Sequence, residues 1–247
     1  MQTFALSDVD FTVARGERWV VLGANGSGKT TLVQLVTGYL HPSRGDLVLL
    51  GARLGSGVDW RKLRERVSVV SAAFAKMVRP DLPAVDIVMT AKNAALEPWW
   101  HTYDGADRDR ARGLLEAGGF GHLAERRFGT LSEGERQQVQ LARTMMRLPE
   151  LIVLDEPAAG LDLGARERLI ARMSQIADDP SLPGAVLVTH HLEEIPSGFT
   201  HALLLRSGRT VACGPISDAI TSDTVSAAFE LPVSVAHEHG RFTARFR

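Results

Sequence analysis

Apolar residues are spaced in two ways along this chain, and the switches between them outline its elements. Short buried-strand runs, mostly apolar, recur at residues 18–22, 67–71, 151–154 and 185–189, the one at 151–154 apolar throughout. Runs of that kind are expected of parallel strands covered on both faces. Between them the apolar positions fall at helical intervals, over residues 30–38, 84–95, 107–117, 131–148 and 164–177, with a charged helix at 60–66. Strands alternating with helices predict an α/β fold with a mainly parallel sheet. The chain opens with a loose alternation through Phe4, Leu6, Val9, Phe11 and Val13 and a turn at Arg15-Gly16. That pattern predicts a hairpin-like start and a small N-terminal antiparallel β part. A further short strand is expected at 46–50, and a hairpin at 202–205 and 210–213 around Ser207-Gly208. Short helical pieces at 218–220 and 224–229 and a strand pair in the tail, 233–247, complete the reading.

From about residue 74 to 147 the character changes. Pro80 and Pro83 punctuate the start, an aromatic loop holds Trp99, Trp100 and Tyr103, and Gly118-Gly119 stops a helix. This reads as a helical lobe inserted into one domain, with the α/β core at about 1–76 and 148–247 and the lobe at about 77–147.

Composition narrows the function. Of 247 residues 45% are hydrophobic, enough for a full core, and the net charge is -1 with no basic block. That balance argues against dependence on a nucleic-acid backbone. The lone Cys213 cannot form an internal disulfide and reads as a small core filler in a reducing compartment. No apolar run approaches the roughly 20 residues a spanning helix needs.

The chemistry starts at Gly23-Ala24-Asn25-Gly26-Ser27-Gly28-Lys29-Thr30, two glycines five apart followed by Lys and a hydroxyl residue. A buried strand precedes it and a helix follows. In that context glycines let successive N–H groups turn inward on phosphate oxygens, and the helix start adds unpaired donors. Lys29 can reach the β and γ phosphates, and Thr30 can hold Mg2+. Ser132 and Glu135 form a capping box at the head of a helix; such a start is either structural or a second anion site. Asp155-Glu156 ends the run at 151–154. Adjacent carboxylates there are costly unless they meet a cation or water. Asp155 suits Mg2+, and Glu156 suits activation of an attacking water. His190-His191 follows the run at 185–189, where ligand contact is plausible for an open parallel sheet. His237 and His239, spaced by two, are weak as metal ligands.

In chain order the phosphate loop, Leu131-Ser132-Glu133-Gly134-Glu135, the strand ending in Asp155-Glu156, and Thr189-His190 resemble the nucleotide-binding subunits of ABC transporters across nearly the whole chain. The Leu-Ser-x-Gly-Glu stretch makes the resemblance specific. It implies a P-loop NTPase core and an ATP hydrolase whose cofactors are ATP and Mg2+. It also implies two subunits paired head to tail, each ATP lying between the phosphate loop of one (Gly23 to Thr31) and Ser132 and Gly134 of the other. By the same resemblance Asp155 and Thr30 hold Mg2+, Glu156 is the general base, His190 contacts the γ-phosphate, and Asp162, in Ala159-Gly160-Leu161-Asp162, communicates across the dimer. The expected partners are a second such subunit, with a homodimer the simplest case, and an integral-membrane permease seated on the helical lobe. The expected location is cytoplasmic, peripheral on the inner face of the cell membrane. Two departures stand out. Ala72 occupies the position where the family usually has Gln, and the chain starts so close to the entry hairpin that the strand preceding it, and with it the aromatic that normally stacks on adenine, is expected to be absent, Phe4 being a substitute or core. Glu133 stands where Gly is more usual. The tail 240–245 is similar to a branch near molybdenum- or iron-complex transport ATPases. A soluble ABC ATPase acting on nucleic acid or ribosomes is the alternative, and a P-loop kinase leaves residues 131–135 unexplained.

Overall fold

The computed structural model describes residues 5–57, 59–71, 77–93, 95–147, 149–179 and 184–247. Phe4, Ala72 and the expected helix end at Leu148 lie outside the described residues. The apolar runs become β1 (Arg18–Leu22), β4 (Val67–Ser71), β5 (Leu151–Asp155) and β6 (Gly184–Thr189). Together with β7 (His201–Arg206) and β8 (Arg209–Pro215) they form a six-stranded sheet, ordered β4-β5-β6-β1-β7-β8. All neighbours are parallel except β7 and β8, which are antiparallel. The central strands β1 and β6 are buried at every residue, as unbroken apolar runs require.

Two apolar layers cover this sheet. One packs α1 (Lys29–Val36), Leu49 and Leu63 against Trp19, Val21, Val153, Val186 and Leu203. The other packs α6 (Leu163–Asp178), Leu192, Phe199 and the C-terminal elements against Val20, Leu22, Leu154 and Leu187. A third cluster is helical: α3 (Ala84–Thr90), α4 (Gly105–Ala117) and α5 (Glu133–Thr144) enclose Val85, Val88, Leu115, Leu123, Phe128 and Val139. The small antiparallel pairs are β2 (Val48–Leu49) with β3 (Ala52–Arg53), and β9 (Val233–Glu238) with β10 (Arg241–Phe246). Between the last two pairs of strands come α7 (Ile216–Ala219) and α8 (Ser222–Phe229), and α2 (Trp60–Arg64) precedes β4.

Several expectations change. Residues 5–17 contain no strand, although Leu6, Val9, Phe11 and Val13 do pack on the cluster around Trp19. Alternation specifies a buried face; it does not supply a hydrogen-bonding neighbour. Cys213 is exposed rather than core, because β8 is an edge strand with one face open to solvent. The helix expected from Asp107 starts at Gly105, since Asp104 caps it and Asp107 reaches back to the Asp104 N–H. The aromatic loop divides: Trp100 is 81% and Trp99 57% exposed, with Arg79 over the Trp99 ring, whereas Tyr103 packs on the helical cluster. His237 stacks face to face on Phe242, a packing role.

Candidate active site

Three neighbouring strands deliver the site. β5, β6 and β1 lie side by side, with Asp155 paired to Val188 and Thr189 to Leu22. Their carboxyl ends therefore bring the phosphate loop, Asp155-Glu156 and His190 to one crevice, the ligand edge of an open parallel sheet. Strand register, not chain proximity, assembles the group.

The phosphate loop leaves β1 at Gly23, where a side chain is impossible: an added Cβ would lie 2.4 Å from the Leu205 carbonyl oxygen and 2.5 Å from Ser27 Oγ. The loop is braced from outside by the β7–β8 turn, whose Gly208 N–H donates to the Ser27 carbonyl at 3.0 Å. Ser27 is buried, and among the described residues its hydroxyl has no partner, an orphaned donor within a loop whose form suits an anion. Lys29 is 7% exposed and donates to the carbonyls of Gly23 (2.7 Å) and Ala24 (3.1 Å). Asn25, Gly26 and Thr30 are exposed at the mouth, and Thr31 is half-buried on the first turn of α1.

Glu156 connects the parts. Its carboxylate lies 2.9 Å from His190 Nδ1 and 3.9 Å from Lys29 Nζ. Its backbone is left-handed, φ 47°, and its N–H donates to the Val188 carbonyl at 2.8 Å. A non-glycine residue adopts that conformation only when its surroundings impose it, and such positions concentrate at functional sites. Charge in the crevice is uncomfortable as it stands. Burial pushes the Asp155 carboxyl above its ordinary value, the Glu156 charge adds to the shift, and Lys29 opposes it. Burial lowers the Lys29 ammonium, opposed by Glu156 and Asp155. A crevice that resists its own buried carboxylate is relieved by a bound cation.

Ser132, Gly134 and Asp162 gather elsewhere, at the paired starts of α5 and α6. Ser132 Oγ accepts the Glu135 N–H, and the Glu135 carboxylate accepts the Ser132 N–H at 2.7 Å. Asp162 caps α6 by accepting the Ala165 N–H at 2.7 Å. The two starts touch: a Cβ on Gly134 would come within 2.8 Å of Ala165 Cβ. Among the described residues no hydrogen bond joins Ser132 or Gly134 to the phosphate loop of the same chain. Ser132→Ala should cost about 1 kcal/mol through the lost cap. Thermal denaturation of the nucleotide-free protein should register this as a fall of about 2–4 °C.

The model of the ABC transporter family matches residues 6–159. The chain belongs to that family. It is 38% identical over 230-odd residues to the uncharacterised ABC transporter ATP-binding protein YlmA of Bacillus subtilis, with 96% of this chain and 89% of that relative aligned, over 236 residues. The hemin import ATP-binding protein HmuV of Nocardia farcinica is 34% identical, covering 93% of this chain and 77% of the relative. The solved structure of cbiO1 from Clostridium perfringens, part of the ABC transporter complex cbiONQ, superposes with a TM-score of 0.74 at 25% identity, covering 87% of this chain and 83% of that one. The protein is thus an ATP-binding, ATP-hydrolysing subunit of an ABC transporter, on a P-loop NTPase fold. Among the described residues no helix is long and apolar enough to cross a membrane.

The sequence missed two participants. The Thr189 hydroxyl, fully buried, donates to the buried Glu194 carboxylate and fixes the backbone that presents His190. Gly208, far along the chain, braces the phosphate loop. Gly208 carries no local signal because its partner Ser27 lies on a distant segment, whereas the Thr189–Glu194 bond spans only five residues and belongs to no standard spacing.

Proposed function

We propose that two copies of this chain close head to tail on two Mg-ATP, and that this closure and its release by hydrolysis drive transport through a partner permease. The observation that carries the reading is the Glu156 carboxylate held between His190 (2.9 Å) and Lys29 (3.9 Å) at the ends of adjacent strands. The phosphate-loop N–H groups of residues 23–31, with Lys29, take the β and γ phosphates. Lys29 then exchanges its two carbonyl acceptors for phosphate oxygens. Thr30 and Asp155 are the ligands for Mg2+, and the upward push on the Asp155 carboxyl fits a site completed by a cation. When bound, Mg2+ neutralises phosphate oxygens. Glu156 orients a water in line with the γ-phosphate and accepts its proton. His190, whose ring nitrogen already meets that carboxylate, turns its other nitrogen to the γ-phosphate. Hydrolysis here relies on positioning and charge neutralisation.

One chain carries half a site. Ser132 and Gly134 head a capped helix whose free donors suit an anion, yet among the described residues no hydrogen bond joins them to their own phosphate loop. A second copy supplies the missing half, with Asp162 beside the junction. Residues 77–147 serve as a helical subdomain, and the exposed Trp99 and Trp100 mark its docking rim. The complex sits on the inner face of the cell membrane. Recovery of a multi-span permease when the tagged protein is purified from detergent-solubilised membranes tests this; recovery with ribosomes or nucleic acid instead would overturn it.

Lys29→Ala tests the phosphate contacts. Loss of charge-assisted bonds should weaken Mg-ATP binding by about 10- to 100-fold, read by titration with a fluorescent ATP analogue. Unchanged affinity would remove Lys29 from the site.

A further inference from the structure

The C-terminal hairpin, β9 and β10, lies outside every ATP motif, yet it grips the segment that presents His190. Arg241, the first residue of β10, places one guanidinium between two elements. Its Nη1 donates to Glu167 Oε2 at 2.9 Å and its Nη2 to Glu167 Oε1 at 3.4 Å. The same Nη2 donates to the backbone carbonyl of Glu193 at 2.5 Å. Glu167 lies on α6, five residues after the cap Asp162; Glu193 lies in the 3-10 turn Leu192–Glu194, three residues after His190. A second bond reinforces the grip: the Ala244 N–H donates to Glu193 Oε1 at 3.4 Å. Apolar contact seats it, since Phe242 is 5% exposed in one cluster with Leu192 and Ile195. From the inner side the turn is tied to its strand, because Thr189 Oγ1 donates to the buried Glu194 and accepts the His191 N–H at 3.1 Å. The Glu167 carboxyl is held below its usual range chiefly by the Arg241 bond.

We infer that Arg241 is a positioning residue for hydrolysis: its guanidinium fixes the turn 192–194 against α6 and so sets the placement of His190 beside Glu156 and the γ-phosphate. The physical need is plain. His190 sits on an irregular segment after β6, and a misplacement of about 1 Å at a reacting centre costs about 10²-fold in rate. A planar fork holds a carboxylate and a carbonyl in one fixed geometry; a lysine ammonium has three donors but no such fork, so it holds the two elements less rigidly. The inference rests on His190 acting at the γ-phosphate.

The test is a double-mutant cycle on the full-length protein with Mg-ATP, measuring kcat and KM. Arg241→Ala should lower kcat roughly tenfold with KM for ATP changed less than about twofold, a loss of transition-state placement rather than of binding. Arg241→Lys should fall between Ala and native. In the His190→Ala background Arg241→Ala should have no further effect, because the residue it positions is gone. An impaired His190→Ala with a native-like Arg241→Ala, or with losses that multiply in the double variant, would overturn the role of Arg241 and leave that of His190 standing. Native turnover by His190→Ala would remove both. Should Arg241→Ala fail to fold, the same cycle is run with Arg241→Lys, and native kcat in that variant overturns the inference.

Discussion

Replacing Glu156 by Gln should lower ATP turnover by about 10²–10⁴-fold while leaving Mg-ATP binding intact. The substitution keeps shape and keeps an acceptor oxygen toward His190 Nδ1, which Glu156 now meets at 2.9 Å. It removes the group proposed to take the proton from water. It also removes a negative charge that lies 3.9 Å from Lys29 and adds to the upward push on Asp155. With that charge gone, Asp155 ionises more readily and the triphosphate meets less repulsion. The ATP-bound state should therefore persist, and two copies should stay closed around two nucleotides. Phosphate release measures the first effect, and light scattering during gel filtration in Mg-ATP measures the second. Turnover near the native rate would take Glu156 out of the base role. A monomer in saturating Mg-ATP would instead remove the closed dimer.

The parts of this site that the sequence displays are those made by consecutive residues. Gly23 to Thr30 announces itself because a tight turn, an ammonium and a helix start must follow one another along the chain. Ser132 and Glu135 are equally legible, since a capping box is defined by a spacing of three, and the structure contains both of its hydrogen bonds. What joins Glu156 to His190 is of another kind. They are 34 residues apart, and only the adjacency of β5 and β6 brings their side chains to 2.9 Å. Strand order is a property of the whole sheet and leaves no mark in either segment. The same reason hides Gly208 behind the phosphate loop and Arg241 behind the turn after His190. Periodicity misled where one face is open or unpaired. Cys213 sits in an apolar-looking strand but at the sheet's edge. Residues 5–17 alternate yet only lay side chains against Trp19. Helix α4 starts at Gly105, two residues before the apolar spacing predicts, because Asp104 and Asp107 hold its start by reciprocal hydrogen bonds, which a count of apolar positions does not see.

Ser132→Asp should abolish turnover without loosening the fold, and it should be rescued by a partner defective in a different half of the site. Asp caps a helix about as well as Ser, within a few tenths of a kcal/mol, so the bond from the Glu135 N–H survives. The new carboxylate, however, stands where the proposed dimer brings the γ-phosphate held by the second copy, and like charges in a crevice shielded from water repel by several kcal/mol at about 4 Å. Lys29→Ala carries the complementary defect: a sound helix start and a disabled phosphate loop. In a mixed dimer the sound loop of the Ser132→Asp chain faces the sound helix of the Lys29→Ala chain, which rebuilds one site of the two. The other site then holds both defects. Equal mixtures form mixed dimers about half the time, so activity should return to at most about a quarter of native. Each variant alone should remain inactive, and circular dichroism should give Ser132→Asp a native-like melting temperature. If mixing restores nothing while both chains are folded, the site is not shared between copies and Ser132 acts only as a cap.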